Sequence, residues 1–416
     1  MGARRLRPVW RPEFQALSDA LTDLSVAPPL AASVFASSRM RVSTELLLSS
    51  AGPALARRIA SPRDAHLRVG AFNPGMALEE SGPEHASLLL FFKMSSYTLC
   101  PLRSWTLQQL EATFTQHGAF SFIATARVRW SRRSGNVSAV SPLRAFAPSV
   151  QAPWIMEGSS DSLGGRVEGM EDMRVLTLAN AYHQRRRRRL LFFSAGQRTS
   201  LRWRMYFMEH RAHSRALPLL FAEEEAAVAE EEALGLVGPN RTKTKNWSPF
   251  EGRDGQVYLE HTIAPLAKRK VLRLNVTTGV CSLLPPAADP SHPPTKRAST
   301  VSLRGSTPPV HLPSRGIYLG LGHERHKMKS PPTNHTPWPR FVGQYLHAFY
   351  AFSDVEPFGL LSVGPWIRLP RTVFATRRPC FATGLVRLSE ETLGVSYGDM
   401  DCLSALAQYR GGEIEV

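Results

Sequence analysis

Two neighbouring runs, GRDGQVYLEHTIAP (252–265) and VLRLNVTTGVCSL (271–283), decide the fold class. The first is a strand pattern preceded by an Asp-Gly turn, and the second reads as its hairpin partner. Ten or more short runs of β-branched, aromatic and aliphatic residues recur after about Leu67, divided by Gly, Pro, Asn or Asp. They indicate an all-β sandwich, barrel or propeller, and the repeated hairpins favour a propeller. Further examples are ASLLLFFKM (86–94), AFSFIATARVRW (119–130), LRWRMYFME (201–209), YLHAFYAF (345–352) and TLGVSYG (392–398).

The composition along the chain predicts one β domain at 67–416 behind an N-terminal extension at 1–66. The extension is rich in Ala, Arg, Ser and Pro and shows no sustained period, so we expect it to be poorly structured or partly helical. Two segments interrupt the strand pattern. The acidic run at 222–236 is helix-prone and reads as a surface insertion. The Pro-rich stretch at 283–300 reads as a loop that links two blades and packs no core.

The charge of the chain bounds its partners. The 416 residues carry a formal net charge of +17, which suits an anionic partner. Most of this excess is spread along the chain, and the one dense run, Arg185–Arg189, is expected in an exposed hairpin turn. No helix-turn-helix pattern, zinc-finger spacing or aromatic RNA-binding signature accompanies it, so the sequence predicts no nucleic-acid partner. A scaffold propeller that binds acidic partners through the arginine run is an alternative.

Cysteines, hydropathy and asparagines bear on cofactors and location. The four cysteines are widely separated without a C-x-x-C pair, so we predict no metal site and no cofactor. No apolar run approaches the length of a membrane span. The N-terminus is a poor signal peptide, which leaves a cytoplasmic location open. Five of the seven asparagines begin N-x-S/T, which favours the secretory lumen instead.

Polar residues recur where the predicted strands begin or end. The stretches that hold them are AFNPG (71–75), TKNWSPF (244–250), LRGSTPPV (303–310), GIYLGLGH (316–323) and VSYGDMDC (395–402). Each alone is compatible with turn chemistry. Together they predict a ring of Asn, Lys, Trp, Arg, His, Tyr and Asp side chains at the blade ends. Such a ring suits a sugar, because Asp, Asn and Arg bind paired hydroxyl groups and an aromatic ring stacks on the apolar face of a pyranose.

The stretch VEGMEDMRV (167–175) places Glu171 and Asp172 next to each other, before the apolar run VLTLANAY (175–182). A solvated turn is one interpretation. The other is acid catalysis, because two neighbouring carboxyl groups disfavour ionisation of both and leave one protonated near neutral pH.

Taken in order, these motifs resemble the five-bladed β-propeller family of β-mannoside phosphorylases and hydrolases, glycoside hydrolase family 130, which includes the related β-1,2-mannosyltransferases. The matching stretches run from about Leu67 to Leu406 and include GMEDMRV, KNWSPF, RGSTPPV, YLGLGH, FATGL and VSYGDMD. The resemblance implies a five-bladed propeller with surface insertions. It also implies a mannose-containing oligosaccharide as a substrate, together with phosphate, mannose 1-phosphate or GDP-mannose.

The resemblance assigns roles to individual residues. Asp172 would be the proton donor of an inverting reaction, with Glu171 and Arg174 in the sugar or phosphate pocket. Asp401 would hold mannose hydroxyl groups, and Asn73 would be a pocket residue. The family usually has proline where this chain has Met173, a departure expected to loosen the turn that aims Asp172. The remaining substrate-binding candidates are Asn246, Trp247 and Tyr397.

The reaction type stays open at this point. Lys245, Arg304 and His323 are candidate phosphate or nucleotide contacts, because cations complement phosphate oxygens. No second carboxylate with a water-activating role stands out, which favours a phosphorylase or mannosyltransferase over a simple hydrolase. A propeller that binds glycans without catalysis is the alternative from another class.

Overall fold

The structure is a computed structural model that describes most of the predicted β domain. The described residues are 70–95, 119–133, 137–141, 144–146, 167–179, 188–196, 203–211, 214–233, 246–286, 296–327, 343–367, 369, 380–390, 392–399 and 403–410. The predicted N-terminal extension, 1–66, lies outside them.

The chain forms a five-bladed β-propeller, so the predicted fold class is confirmed. Blade 1 contains β1 (Gly70–Ser81), β2 (His85–Ser95), β3 (Ala119–Ser131), β4 (Val137–Ala139) and β5 (Arg144–Phe146). Blade 2 contains β6 (Val167–Thr177), β7 (Arg189–Gly196), β8 (Trp203–Glu209) and β9 (Leu217–Pro218). Blade 3 contains β10 (Leu220–Phe221), β11 (Ser248–Glu251), β12 (Val257–Thr262), β13 (Lys270–Leu274) and β14 (Val280–Leu283). Blade 4 contains β15 (Arg304–Gly305), β16 (Val310–Leu312), β17 (Ile317–Lys327), β18 (Gly343–Ser353) and β19 (Leu360–Ile367). Blade 5 contains β20 (Cys380–Arg387), β21 (Thr392–Asp399) and β22 (Leu403–Arg410).

The hairpin that suggested the fold is present. β12 pairs antiparallel with β13, and β13 pairs antiparallel with β14 in the same blade. Residues 185–187 of the arginine run lie outside the described residues, and Arg189 belongs to β7 with a side chain that is 15% exposed, so an exposed turn is wrong for that residue. β6 and β7 form an antiparallel pair in which Met170 lies opposite Ala195 and Thr177 lies opposite Arg189. Residues 178–188 therefore connect the two strands. Arg188 binds Glu209 and Arg189 binds Glu79 through their guanidinium groups.

The first strands of the blades surround the propeller axis. β1 contacts β6 of blade 2 and β20 of blade 5, and β6 also contacts β11 and β20. The contact of β1 with blade 5 closes the ring of blades. Blades 1 and 2 are also joined edge to edge, because residues 119–121 of β3 pair in parallel with residues 167–169 of β6.

Five hydrophobic clusters of the described residues hold the blades together, one between each neighbouring pair. Phe91 and Phe193 belong to the cluster between blades 1 and 2, and Trp247 belongs to that between blades 2 and 3. Phe352 lies between blades 3 and 4, and Tyr397 lies between blades 4 and 5. The fifth cluster joins blades 5 and 1 around Leu90, Trp130 and Leu388. Because each blade buries both faces, its long strands contribute apolar side chains to two clusters, as β2 does with Leu90 and Phe91, which explains their dense aliphatic and aromatic content.

The two predicted insertions are present as short helices. α1 (Ala222–Ala233) matches the acidic run, and its first turn is tied to the propeller by three charged contacts. Glu223 binds Lys270, while Glu224 lies 2.6 Å from the Nε2 of His261 and Glu225 lies 2.6 Å from an Nη of Arg204. α1 therefore bridges blades 2 and 3.

The Pro-rich stretch links blades 3 and 4 as predicted, but part of it packs against the core. It ends in the short helix α2 (Lys296–Thr300). Ala298 of α2 is 0% exposed and belongs to the cluster between blades 3 and 4, so the expectation of a loop that packs no core is wrong. The physical reason is that a small apolar residue on one turn of helix fits against a blade face without a long strand. Among the described residues, no helix is long and apolar enough to span a membrane.

Glycines allow blades to approach closely around the axis. A Cβ atom at Gly398 of β21 would lie 1.8 Å from the Oδ1 of Asn73 in β1. A Cβ atom at Gly75 would lie 2.5 Å from the carbonyl oxygen of Met173 in β6. Both contacts are shorter than any tolerated by a real side chain, so only glycine fits at these positions.

We predict that Gly398→Ala lowers the free energy of unfolding by about 1 to 3 kcal/mol, because the added methyl group displaces Asn73 and overpacks the junction of blades 5 and 1. Urea unfolding measures the change. Gly82→Ala is the matched control, because its added carbon would lie 3.4 Å from the His85 carbonyl oxygen, an ordinary contact. Equal stability of the two variants would contradict the close approach.

Candidate active site

Three residues with left-handed backbone conformation mark the site. Asn73, Asp172 and Asn246 have φ values of 47°, 52° and 69°, and only one other described non-glycine residue, Phe358, has a positive φ. Asn73 lies in a bulge of β1 and Asp172 in a bulge of β6, where the strand register shifts. Asn and Asp tolerate this conformation better than other side chains, and bulges re-aim the residue they carry. Such local strain is concentrated at functional sites.

The side chains of Asn73 and Asp172 meet across blades 1 and 2. The Nδ2 of Asn73 donates a hydrogen bond of 2.9 Å to the Oδ1 of Asp172. Asn73 is 3% exposed, whereas Asp172 is half-buried and so remains accessible. Blade 5 fixes the same bulge from the other side. Thr383 donates from its hydroxyl to the Pro74 carbonyl at 2.9 Å, and the hydroxyl of Ser396 donates to the same oxygen.

Arg174 connects three blades through one buried guanidinium group. Its Nη1 donates to the carbonyl of Asp172 at 2.9 Å, and its Nη2 donates to the Oδ1 of Asn246 in blade 3 at 2.9 Å. Its Nε donates to the carbonyl of Ser306 in blade 4 at 2.8 Å. The side chain is 0% exposed, and its charge lies 5.9 Å from the ring centre of Phe381 in blade 5. The backbone of Asp172 and the side chain of Asn246 are therefore held by the same rigid fork of donors.

Two buried histidines complete the circuit. The Nδ1 of His323 lies 3.0 Å from the hydroxyl oxygen of Ser306. His347, opposite His323 on the neighbouring strand, accepts a hydrogen bond of 3.3 Å at its Nε2 from the amide of Ala382 in blade 5. Together with the pairing of His323 and His347 on neighbouring strands of blade 4, these hydrogen bonds pass through all five blades and return to the first. We call this circuit the inter-blade ring; its side chains are Asn73, Asp172, Arg174, Asn246, Ser306, His323, His347, Thr383 and Ser396.

Burial sets the charge state of the ring. Burial lowers the pKa of Arg174 to about 10, an effect that the Asp172 carboxylate partly offsets, so the guanidinium stays charged near neutral pH. Burial lowers the pKa of His347 to about 3. Burial also holds the pKa of His323 well below its usual range, and the nearby His347, Arg174 and Arg304 lower it further. Both imidazoles are therefore neutral, and Arg174 carries a positive charge beside the carboxyl group of Asp172.

The side chain of Met173, which stands where the resembling family has proline, is 0% exposed in the cluster between blades 1 and 2. Its packing anchors the bulge that presents Asp172. Among the described residues, no group of three or more His, Cys, Asp or Glu side chains could hold a metal ion.

The structure brings together four of the predicted site residues, Asn73, Asp172, Arg174 and Asn246, by direct hydrogen bonds, and it connects His323 to them through Ser306. The others lie elsewhere or are not described. Trp247 and Tyr397 are each 2% exposed in the clusters between blades, so neither ring presents a face on which a sugar could stack. Arg304 is exposed and lies opposite His323 on the strand pair β15–β17. Glu171 pairs through its backbone with Ser194. Lys245 and Asp401 lie outside the described residues.

Four residues of the inter-blade ring were not predicted individually: Ser306, His347, Thr383 and Ser396. All four stand in stretches that carry the resemblance, namely RGSTPPV, HAFYAFS, FATGL and VSYGDMD. The available signal was a hydroxyl residue beside a glycine in two of these motifs, with Ser306 after Gly305 and Thr383 before Gly384. Such a pair indicates that the hydroxyl group bonds to another backbone segment, but it does not identify that segment. The partner is distant in sequence, because Ser396 and Pro74 are 322 residues apart.

Comparison with known proteins gives structural similarities at low identity. No protein-family model matches this sequence, and no curated protein matches it. A glycosyl hydrolase from Bacteroides ovatus is 12% identical, with 83% of this chain and 85% of that chain covered, at a TM-score of 0.48. MPT-4, a mannose phosphorylase from Leishmania mexicana solved with a phosphate ion, is 9% identical over 82% and 84% of the chains, at a TM-score of 0.40. MPT-1, a GDP-Man-dependent mannosyltransferase from the same organism, is 9% identical over 82% and 86%, at a TM-score of 0.38.

We predict that Arg174→Met destabilises the protein by about 3 kcal/mol or more, because it leaves three buried acceptors in three blades without their donor. Arg174→Lys should rescue only part of this loss, since an ammonium group cannot reproduce the fork. Urea unfolding measures both. As a control, Arg211→Met removes an exposed ion pair with Glu209 and should change stability by less than about 1 kcal/mol. A similar small effect at Arg174 would contradict its role as an inter-blade clamp.

The neutral His347 predicts a pH dependence of stability. Its pKa is about 3 in the folded protein and about 6.5 in an unfolded chain, so the unfolded state binds more protons between these values. Its contribution to stability is therefore complete above about pH 6.5 and is lost as pH falls towards 3, at up to about 1.4 kcal/mol per pH unit. His347→Gln, which keeps an acceptor for the Ala382 amide, should flatten the slope measured by urea unfolding between pH 6 and 4. The exposed His85→Gln is the control. An unchanged slope in His347→Gln would show that His347 titrates normally.

Proposed function

We propose that this protein is a carbohydrate-active enzyme that transfers mannosyl groups of β-mannosides, as a phosphorylase or mannosyltransferase, by an inverting mechanism with Asp172 as the general acid. The observation that carries the proposal is the strained trio of Asn73, Asp172 and Asn246. Of these three left-handed residues, Asp172 alone carries a carboxyl group, and hydrogen bonds from the inter-blade ring hold both its backbone carbonyl and its side chain.

The geometry supports a directed acid. The bond from Asn73 holds one carboxyl oxygen of Asp172, and the bond from Arg174 fixes its carbonyl. The side chain of Asp172 is half-buried, so it remains accessible to a ligand. A proton donor that is held in one orientation before substrate binds needs no reorganisation during the reaction.

The proposed chemistry needs one acid and a nucleophile on the opposite face of the sugar. In phosphorolysis, a phosphate oxygen forms a bond to the anomeric carbon while the glycosidic bond breaks. The proton of Asp172 passes to the departing glycosidic oxygen, which leaves as the hydroxyl group of the acceptor sugar. In the transfer direction, the acceptor hydroxyl attacks the mannosyl donor, phosphate or nucleotide leaves, and the carboxylate of Asp172 takes the proton of that hydroxyl.

A second carboxylate would favour hydrolysis, because an inverting hydrolase uses one to activate water. The trio carries carboxamides at the two other positions, Asn73 and Asn246, and a carboxamide cannot accept the proton of water at neutral pH. This supports phosphate or a sugar phosphate as the reaction partner. Arg304, exposed on blade 4, and Lys245 are the proposed contacts for its anionic oxygens.

We predict that Asp172→Asn lowers turnover by about 10²- to 10⁴-fold, because the amide keeps the shape of the side chain but cannot donate the transferable proton. Glycan binding should persist. The assay follows phosphate release from mannose 1-phosphate with short mannoside acceptors, and in parallel the use of GDP-mannose. Asp254→Asn is the matched control: this carboxylate binds the hydroxyl of Tyr258 in blade 3, outside the inter-blade ring, and its loss should change turnover only a few-fold. Near-full activity of Asp172→Asn would place the acid elsewhere.

Two further variants separate binding from chemistry. Glu171→Gln and Asp401→Asn should weaken substrate affinity more than turnover, since a sugar contact stabilises ground and transition states alike. Wild-type protein that binds mannosides but turns over no donor would instead support the non-catalytic glycan-binding propeller.

A further inference from the structure

His323 occupies a closed polar and aromatic pocket beside the inter-blade ring. It is 2% exposed, and its ring packs edge-on against Tyr345 at 5.3 Å and Phe381 at 5.0 Å. His347 lies 6.3 Å away, and the Nδ1 of His323 bonds the hydroxyl of Ser306 at 3.0 Å. The titratable and charged groups around it are therefore His347, Arg174, Arg304 and Tyr345.

These contacts differ from those of a phosphate-binding cation. A histidine that serves as a cationic contact for phosphate must be protonated and must present an N–H to it. The imidazole of His323 is almost fully enclosed, and the charges nearest to it are cationic, so protonation is disfavoured. Its Nδ1 contacts the hydroxyl of Ser306, and the ring also makes a hydrogen bond with the backbone of Gly305. The carbonyl of Ser306 in turn accepts the Nε–H of Arg174 at 2.8 Å.

We infer that His323 is a positioning residue for the acid. His323 acts as a neutral hydrogen-bond partner that fixes Ser306. Through Ser306 it fixes the guanidinium of Arg174 and the backbone of Asp172. The catalytic part of this inference rests on the proposed role of Asp172. The structural part, that His323 and Ser306 restrain Arg174, does not depend on any substrate.

The chain of contacts has three steps. The Ser306 hydroxyl is held by His323, which limits rotation of the Ser306 backbone in the segment between β15 and β16. Its carbonyl oxygen then receives the Nε–H of Arg174 in a fixed place. The opposite edge of the same guanidinium donates to the Asp172 carbonyl at 2.9 Å, and Asp172 has the strained φ of 52°. Loosening the first contact therefore releases the orientation of the acid, and a misplacement of about 1 Å is enough to cost about 10²-fold in rate.

The first experiment needs no substrate. In protein labelled with ¹⁵N-arginine, the Nε–H resonance of Arg174 is assigned by its loss in Arg174→Lys, and its hydrogen exchange with solvent is measured. We expect exchange at least about tenfold faster in His323→Leu and in Ser306→Ala than in the wild type, since both remove the contact that fixes the acceptor of this N–H. His323→Asn, which keeps a polar atom close to the place of Nδ1, should retain slow exchange.

The matched control is His311→Leu, on the same blade. His311 bonds Asp354 at 2.9 Å and packs on Tyr318, away from the inter-blade ring, so this change should leave Arg174 exchange as in the wild type. Thermal melting identifies any variant that fails to fold. Ser306→Ala, a small change that keeps the Ser306 carbonyl, provides the decisive comparison if His323→Leu does not fold.

The second experiment measures kinetics with mannose 1-phosphate as the donor. A positioning role predicts that His323→Leu lowers turnover by about 10- to 100-fold with KM within about threefold, and that His323→Asn recovers most of the loss. The pH profile should keep its shape in both variants. A large rise in KM for the phosphate-bearing donor with unchanged turnover, or a lost ionisation in the profile, would overturn the inference and make His323 an anion contact. Unchanged Arg174 exchange in both Ser306→Ala and His323→Leu would also overturn it. Absence of turnover in the wild type, with fast Arg174 exchange in the variants, would instead reject the proposed enzyme and keep the structural link.

Discussion

The buried guanidinium of Arg174 is the interaction on which the centre of the propeller depends. Burial of a cation is costly unless each donor finds a partner, and here the partners belong to three blades: the carbonyl of Asp172, the side chain of Asn246 and the carbonyl of Ser306. The hydrophobic clusters bring neighbouring blades together, but apolar packing alone does not fix their relative register. The fork of Arg174 does so, because its donors have fixed directions and their loss leaves buried acceptors unpaired.

The same arrangement explains why strain accumulates at one place. Asn73, Asp172 and Asn246 adopt left-handed conformations where blades 1, 2 and 3 meet, and each is held by a hydrogen bond that belongs to the inter-blade ring. Close approach is possible because Gly75 and Gly398 leave room that a Cβ atom would fill. The surrounding blades maintain these strained conformations, which hold the half-buried carboxyl group of Asp172 in a single orientation. The ring keeps its histidines neutral, so its positive charge is that of Arg174, next to the carboxyl group of Asp172.

Local patterns predicted well those features that depend on local physics. The hairpin of β12 and β13 and the acidic helix α1 follow from turn residues, helix propensity and charge, and both are present. Packing was harder to predict. Ala298 lies in a core although its stretch looked like a bare loop, and Trp247 is enclosed although a tryptophan beside polar residues suggested a sugar platform. Whether an aromatic ring is open or buried depends on which strand of another blade covers it, and no local pattern contains that information.

The sequence by itself determined an all-β chain of repeated hairpins, the positions of its turns, and the residue types Asn, Asp and Asn that tolerate left-handed backbone. Those features depend on a residue and its near neighbours. Only the tertiary structure decided that Asn73 donates to Asp172, that Arg174 binds blades 3 and 4, and that His323 and His347 are buried and neutral. His347 accepts a hydrogen bond from the Ala382 amide, 35 positions away, and Arg174 donates one to the Ser306 carbonyl, 132 positions away. These contacts exist because closing five blades around one axis brings distant strands within hydrogen-bond reach, and closure is a property of the whole chain.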